Sequence, residues 1–219
     1  MKKIGLLTIG QSPRNDITPD MASIIQGRAD FIETGALDGL SDEEIAALAP
    51  KQDEVRLITR LNSGKSVALS EEAILKLMQE RIEAIQDQVS SIAILCTGSF
   101  PEFKSKVPVI TTWPILRARV PQMSQRAAVI SAAPEQIPFW QERWEKELEF
   151  VKVFGTSPYD HNGALEAIAA EIRNLPVDLI LLDCLGFSFE TGRTVESLSG
   201  KKTVTARELL ARETLIYLS

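Results

Sequence analysis

The chain reads as an α/β protein folded as two similar halves, each built around a parallel sheet. Three observations predict this class. Short apolar runs rich in Ile, Val and Leu alternate with amphipathic stretches of helical period. The opening run Lys3-Ile4-Gly5-Leu6-Leu7-Thr8-Ile9, leading into a Gln11-Ser12-Pro13 loop, is echoed by Arg126-Ala127-Ala128-Val129-Ile130-Ser131 leading into Ala132-Ala133-Pro134. Later in each half an apolar run ends in Cys-x-Gly, Cys96-Thr97-Gly98 in the first and Cys184-Leu185-Gly186 in the second.

The elements follow in order. Strands are predicted over residues 3–9, 29–33, 91–96, 107–110, 126–131, 149–154, 178–184 and 202–205, each short and apolar. Ser41 followed by Glu44 fits a capping box, and Pro50 closes that helix soon after Leu48. Residues 56–61 and 65–69 flank Asn62-Ser63-Gly64, the pattern of a hairpin. Residues 71–88 carry Ile74, Leu77, Met78, Ile82 and Ile85 as a helical stripe, with Ser70 placed to cap it. Helices also fit residues 134–148, 163–174 and 205–214. The first of these carries Phe139, Trp140 and Trp144, which read as core or as the interface of a homo-oligomer. The echo divides the chain into a first lobe over residues 1–110, completed by 200–219, and a second over 111–199, with the boundary near residues 108–125.

Composition narrows the function. The 219 residues hold 24 Lys and Arg against 30 Asp and Glu, a formal net charge of −6 with no basic run, whereas a nucleic-acid groove is strongly basic. No apolar stretch approaches the roughly 20 residues that span a bilayer, and Met1-Lys2-Lys3 runs into a strand without a small-residue cleavage site. The expectation is a cytoplasmic protein with neither nucleic acid nor membrane as partner. Two cysteines and the sole histidine, His161, are too few for a disulfide framework or a closed metal site.

In parallel α/β sheets ligands meet the carboxyl ends of strands, where the amides of the following loop face an anion. Cys96 and Cys184 sit at such ends. A thiol there can be stabilised as thiolate and serve as base or nucleophile, and the glycine two residues on lets backbone approach a bound group. Free cysteine is also a common buried residue, but matched Cys-x-Gly positions in both halves favour function, while the lack of Cys-x-x-Cys disfavours a redox dithiol. Across a cleft, one thiolate could take a proton from carbon while the other thiol delivers one to the opposite face. In the loop Gly10 to Asp16, Arg14 is either a bidentate contact to a small anion or a structural ion-pair partner. Gln11 and Ser12 accompany it as ligand candidates, although Ser12 before Pro13, like Thr18 before Pro19, equally suits a helix cap. Asp160-His161-Asn162 either lines the pocket or caps the next helix.

The stretches Ile4 to Arg14, with its Gly-Gln-Ser-Pro-Arg segment, Leu57 to Val67, Cys96-Thr97-Gly98-Ser99-Phe100 and Leu182 to Phe187 resemble the AroM family over essentially the whole chain. The paired cysteines in turn resemble the aspartate/glutamate/hydantoin racemase superfamily. That resemblance implies two pseudo-symmetric, Rossmann-like lobes and cofactor-free chemistry at an acidic carbon. It further implies Cys96 and Cys184 as acid/base residues, with Thr97, Gly98 and Ser99 holding a carboxylate and Gly186 and Phe187 beside them. The chain departs from many superfamily members in having Leu185 rather than threonine after the second cysteine. Asp183 precedes that cysteine, and its charge opposes thiolate formation. A racemase-like enzyme, a non-catalytic carboxylate binder with the same cleft, and a nucleophilic cysteine enzyme all remain open on these residues.

Overall fold

The structure, a computed structural model, describes residues 2–52, 54, 56–160 and 162–218. His161, singled out above, lies outside the described residues. The chain divides into two units. The first takes Met1–Asn15, Ile25–Thr111 and Glu213–Ser219, and the second takes Asp16–Ile24 and Thr112–Arg212, so that helix α1 (Thr18–Ile25) belongs to the second but for its last residue.

The first unit contains β1 (Lys2–Thr8), β2 (Ala29–Gly35), β3 (Arg56–Arg60), β4 (Ser66–Ser70), β5 (Ser91–Ile94) and β6 (Val109–Ile110). A parallel sheet has the order β2-β1-β5-β6, while β3 and β4 form the antiparallel hairpin expected around Asn62-Ser63-Gly64. All four residues of β5 are buried, as a central parallel strand covered on both faces requires. Helix α2 (Asp42–Ala47) begins in the expected capping box. Ser41 Oγ accepts from the Glu44 amide at 3.2 Å and Glu44 Oε2 accepts from the Ser41 amide at 2.7 Å. Ser41→Ala is therefore expected to cost about 1 kcal/mol in urea unfolding. Helix α3 (Glu71–Ile85) buries Ile74, Met78, Ile82 and Ile85 against a core containing Leu7, Ile92 and Ile94. Ser70 precedes it but makes no side-chain cap. Its hydroxyl instead bonds the Glu54 carboxyl, which that bond holds below the ordinary carboxylate range.

The second unit repeats the sheet with β7 (Arg126–Ser131), β8 (Phe150–Gly155), β9 (Leu179–Asp183) and β10 (Lys202–Thr205), parallel in the order β10-β9-β7-β8. Its helices are α4 (Thr112–Met123), α5 (Ile137–Trp144) after a 3₁₀ turn at Pro134–Gln136, α6 (Ala164–Arg173), α7 (Phe189–Ser199) and α8 (Ala206–Ile216). Two sequence expectations are corrected here. The strand at 202–205 does not return to the first lobe. It pairs with β9, the position that a single β-α-β step through α7 reaches most directly. Of residues 200–219 only Glu213–Ser219 group with the first unit, and residues 16–24, expected in the first lobe, group with the second. Helix α7 escaped sequence reading because Thr191, Gly192 and Thr194 are weak helix formers. It is defined by its ends, with Ser188 capping the Thr191 amide and Gly200 in the left-handed conformation at φ 70°. Among the described residues no helix is long and apolar enough to cross a membrane.

The sequence echo extends to the strand ends. In the first sheet Thr8 stands level with Gly35, and in the second Ser131 stands level with Gly155. A Cβ on Gly35 would lie 2.4 Å from the Gly10 carbonyl oxygen, and one on Gly155 would lie 2.5 Å from that of Ala133. Each glycine thus lets the loop after the first strand of its unit cross its neighbour's end. The Ala36 amide bonds Thr8 O at 2.9 Å and the Thr156 amide bonds Ser131 O at 3.0 Å, again in matching places.

Candidate active site

Each cysteine directly follows the strand residue level with these ends. Leu7 pairs with Ile94 in β5, so Leu95 continues the register beside Thr8 and Cys96 comes next; Ser131 pairs with Asp183 in β9, and Cys184 comes next. Cys96 packs against the core that holds Ile92 and Ile94, and Cys184 against the core that holds Ile180 and Leu182. Both are half-buried, and neither is in a disulfide. Each sulfur accepts a hydrogen bond from the glycine amide two residues on, Gly98 N to Cys96 Sγ at 3.4 Å and Gly186 N to Cys184 Sγ at 3.4 Å. An N–H that donates to sulfur is a contact that a thiolate accepts more strongly than a thiol does.

Around these loops the residues expected to bind ligand divide. Thr97 is buried, Gly98 half-buried and Ser99 exposed. Gly186 is tightly covered within its unit, since a Cβ there would lie 2.6 Å from Pro158 Cγ and 2.9 Å from the Tyr159 hydroxyl oxygen. Tyr159 in turn donates to Asp16 Oδ2 at 2.8 Å. Gly186→Ala should accordingly overpack the loop by about 1–3 kcal/mol, read as a lower midpoint in thermal unfolding. Phe187 is a correction. It is fully buried in the apolar core with Ile130, Ile180 and Val195, because the chain turns inward before α7.

The Gly10 to Asn15 loop has structural partners of its own. Gln11 Oε1 accepts from the Asn62 amide at 2.9 Å, and Asn62 Nδ2 donates to Ser12 O at 3.0 Å, tying the loop to the hairpin. Asp38 gathers the rest. It accepts from the Ser12 amide at 2.8 Å, the Ser12 hydroxyl at 2.6 Å and the Gly35 amide at 2.7 Å. Sequence reading missed Asp38, although an Asp-Gly pair after a strand marks it as a turn residue. Arg14 is buried. Its Nη1 donates to Thr8 Oγ1 at 3.2 Å while its amide donates to Glu33 Oε2 at 2.7 Å, contacts that hold the loop in place and are not an ion pair of the guanidinium.

The family model described as AroM protein matches residues 4–215. The chain belongs to the AroM family. No curated protein matches it in sequence. Among solved structures it is similar to allantoin racemase from Klebsiella pneumoniae (TM-score 0.65, 12% identity, 100% of this chain and 89% of that one). It is also similar to the maleate isomerase Iso from Pseudomonas putida (0.63, 13%, 99% and 92%) and to arylmalonate decarboxylase (0.60, 15%, 99% and 92%). The fold is therefore the α/β fold of these structures, with a parallel four-stranded sheet in each unit.

In this AroM-family chain the acid before the second cysteine has a distinct setting. Where the first unit has the buried Leu95, the second has Asp183, 2% exposed. Alternation turns its carboxylate to the sheet face opposite that of Cys184, where Oδ2 accepts from the Trp144 indole N–H at 3.1 Å. Arg143 lies over the Trp113 ring at 3.6 Å. Burial lowers the pKa of this guanidinium from its ordinary value, and the Asp183 charge opposes part of that lowering. The AroM-family chain also has a cavity of about 520 Å³ in the second unit, lined by Ser23, Phe189, Arg193, Glu196, Thr203 and Arg212 among others, but neither thiol lines it. No cluster of three or more His, Cys, Asp and Glu side chains placed to hold a metal occurs among the described residues.

Proposed function

We propose that this protein is a racemase-like enzyme that carries out cofactor-free proton transfer at a carbon of a small carboxylate-bearing substrate, with Cys96 and Cys184 as the acid/base pair. The carrying observation is the duplicated thiol loop. Each sulfur stands just past the same strand-end level of its sheet and receives the amide of the glycine two residues on at 3.4 Å. The duplication carries the argument, since either bond alone is an ordinary turn contact of a side chain with the amide two residues on, as at Thr8, Ser105 and Ser157.

In this reading one thiolate removes the proton from carbon and the other thiol returns one to the opposite face; in the reverse direction the roles exchange. Loop amides, with Thr97 and Ser99, hold the substrate carboxylate. The racemase, isomerase and decarboxylase among the similar structures support a reaction of this class. They also suggest the probes. Arylmalonates and maleate, which carry carboxylates, and allantoin, which carries none, are incubated with the protein in D₂O and followed by NMR for deuterium at carbon, isomerisation or loss of CO₂. The expected result is deuterium delivered to carbon of a carboxylate probe; reaction of allantoin alone would remove the carboxylate from the reading, and isomerisation without deuterium at carbon would remove the proton transfer. Binding of a probe with no exchange, isomerisation or decarboxylation would point instead to a carboxylate-binding protein that keeps the loops without the chemistry.

A further inference from the structure

The second thiol loop is gripped from behind by a residue that nothing in the sequence marks. Arg207, at the start of α8, is 1% exposed. Its Nε donates to the Leu185 carbonyl at 2.8 Å, and its Nη2 donates to the same oxygen at 2.5 Å and to the Gly186 carbonyl at 3.1 Å. Its charge is balanced by Asp20 of α1, whose Oδ2 accepts from Arg207 Nη1 at 2.6 Å and from the Phe189 amide at 2.9 Å. Leu185 and Gly186 are the two residues that follow Cys184, and Phe189 opens α7 just beyond them.

The consequence lies in the geometry of one peptide unit. The Leu185 carbonyl and the Gly186 N–H belong to the same planar trans peptide, so they point in opposite directions. Two guanidinium donors on the Leu185 oxygen therefore set where the Gly186 N–H points, and it points at Cys184 Sγ. The cation also polarises that peptide, which strengthens the N–H as a donor. A fork of fixed shape suits this task better than an ammonium, because it engages both carbonyls at once.

We propose that Arg207, held by Asp20, is a positioning residue that aims the Gly186 amide at Cys184 and so keeps this thiol acidic. This rests on the acid/base reading of Cys184 and adds to it a means of tuning. Arg207 itself touches no substrate.

The test uses the full chain and iodoacetamide. Cys96 and Cys184 fall in separate tryptic peptides, so alkylation of each is followed against pH by mass spectrometry in one sample, with Cys96 as internal reference. In Arg207→Met the Cys184 midpoint is expected to rise by about one pH unit, slowing its alkylation near neutrality roughly tenfold, while Cys96 stays where it was. Arg207→Lys, which keeps the charge but loses the fork, is expected to give a smaller rise and serves as the deciding variant if Arg207→Met does not fold. A Cys184 profile that coincides with the parent's in the folded variant overturns the proposal, as does an equal displacement of both cysteines, which reports general loosening. The position of the parent profile is a separate readout. A parent Cys184 that titrates like an ordinary thiol counts against the acid/base reading, whereas the displacement between parent and variant judges the clamp.

Discussion

Cys96→Ala and Cys184→Ala are each expected to lower turnover of a responsive carboxylate by about 10²–10⁴, the contribution of a positioned general acid or base. The two losses should not add. Once one thiol is gone, proton transfer at that face has already stopped, and removing the second takes away a group with nothing left to complete. Steady-state rates of inversion at carbon check this, because the remaining thiol can still exchange the proton on its own face for deuterium. Retention of full turnover in either variant rejects the two-cysteine pair. Ligand affinity, measured by calorimetry, should change far less than turnover, because the carboxylate is assigned to loop amides and hydroxyls rather than to sulfur. The local reason for expecting activated thiols is the glycine amide at 3.4 Å from each sulfur.

Trp144→Ala is expected to be the most destabilising single change, at about 3–5 kcal/mol in denaturant unfolding. The indole is fully buried, and its ring meets Trp113 edge-on with centroids 5.1 Å apart. It also supplies an N–H to the Asp183 carboxylate. Trp144→Phe separates the two roles. It keeps most of the apolar volume but removes the donor from a nearly inaccessible acid, for an expected cost of about 1–3 kcal/mol. Because Asp183 is the residue before Cys184, this variant should also disturb Cys184 alkylation. A Trp144→Phe protein as stable as the parent would show that the indole hydrogen bond contributes nothing net.

Much of this arrangement was legible in the residues. The Ser41 and Glu44 capping box, the hairpin around Asn62 to Gly64 and the α3 stripe are local patterns, and local patterns survive folding because the interactions that define them lie within a few residues. The two Cys-x-Gly strand ends were readable for the same reason. Phe187 was misread because an aromatic beside a candidate site looks the same in sequence whether it faces ligand or core. Ser70 was misread because its hydroxyl had a choice between the α3 amides and the Glu54 carboxyl, and only the folded chain brings that carboxyl near.

The sequence by itself determined the alternation of strands and helices, the internal echo and the place of each cysteine at the end of a buried strand. These follow from periodicity and from the order of residues along the chain. The tertiary structure alone decided which sheet β10 joins, which face Asp183 takes and that Arg207 reaches back to the loop after Cys184. Such contacts join residues far apart in sequence, and their free energy depends on burial and on the direction of a donor, neither of which exists until the chain is folded.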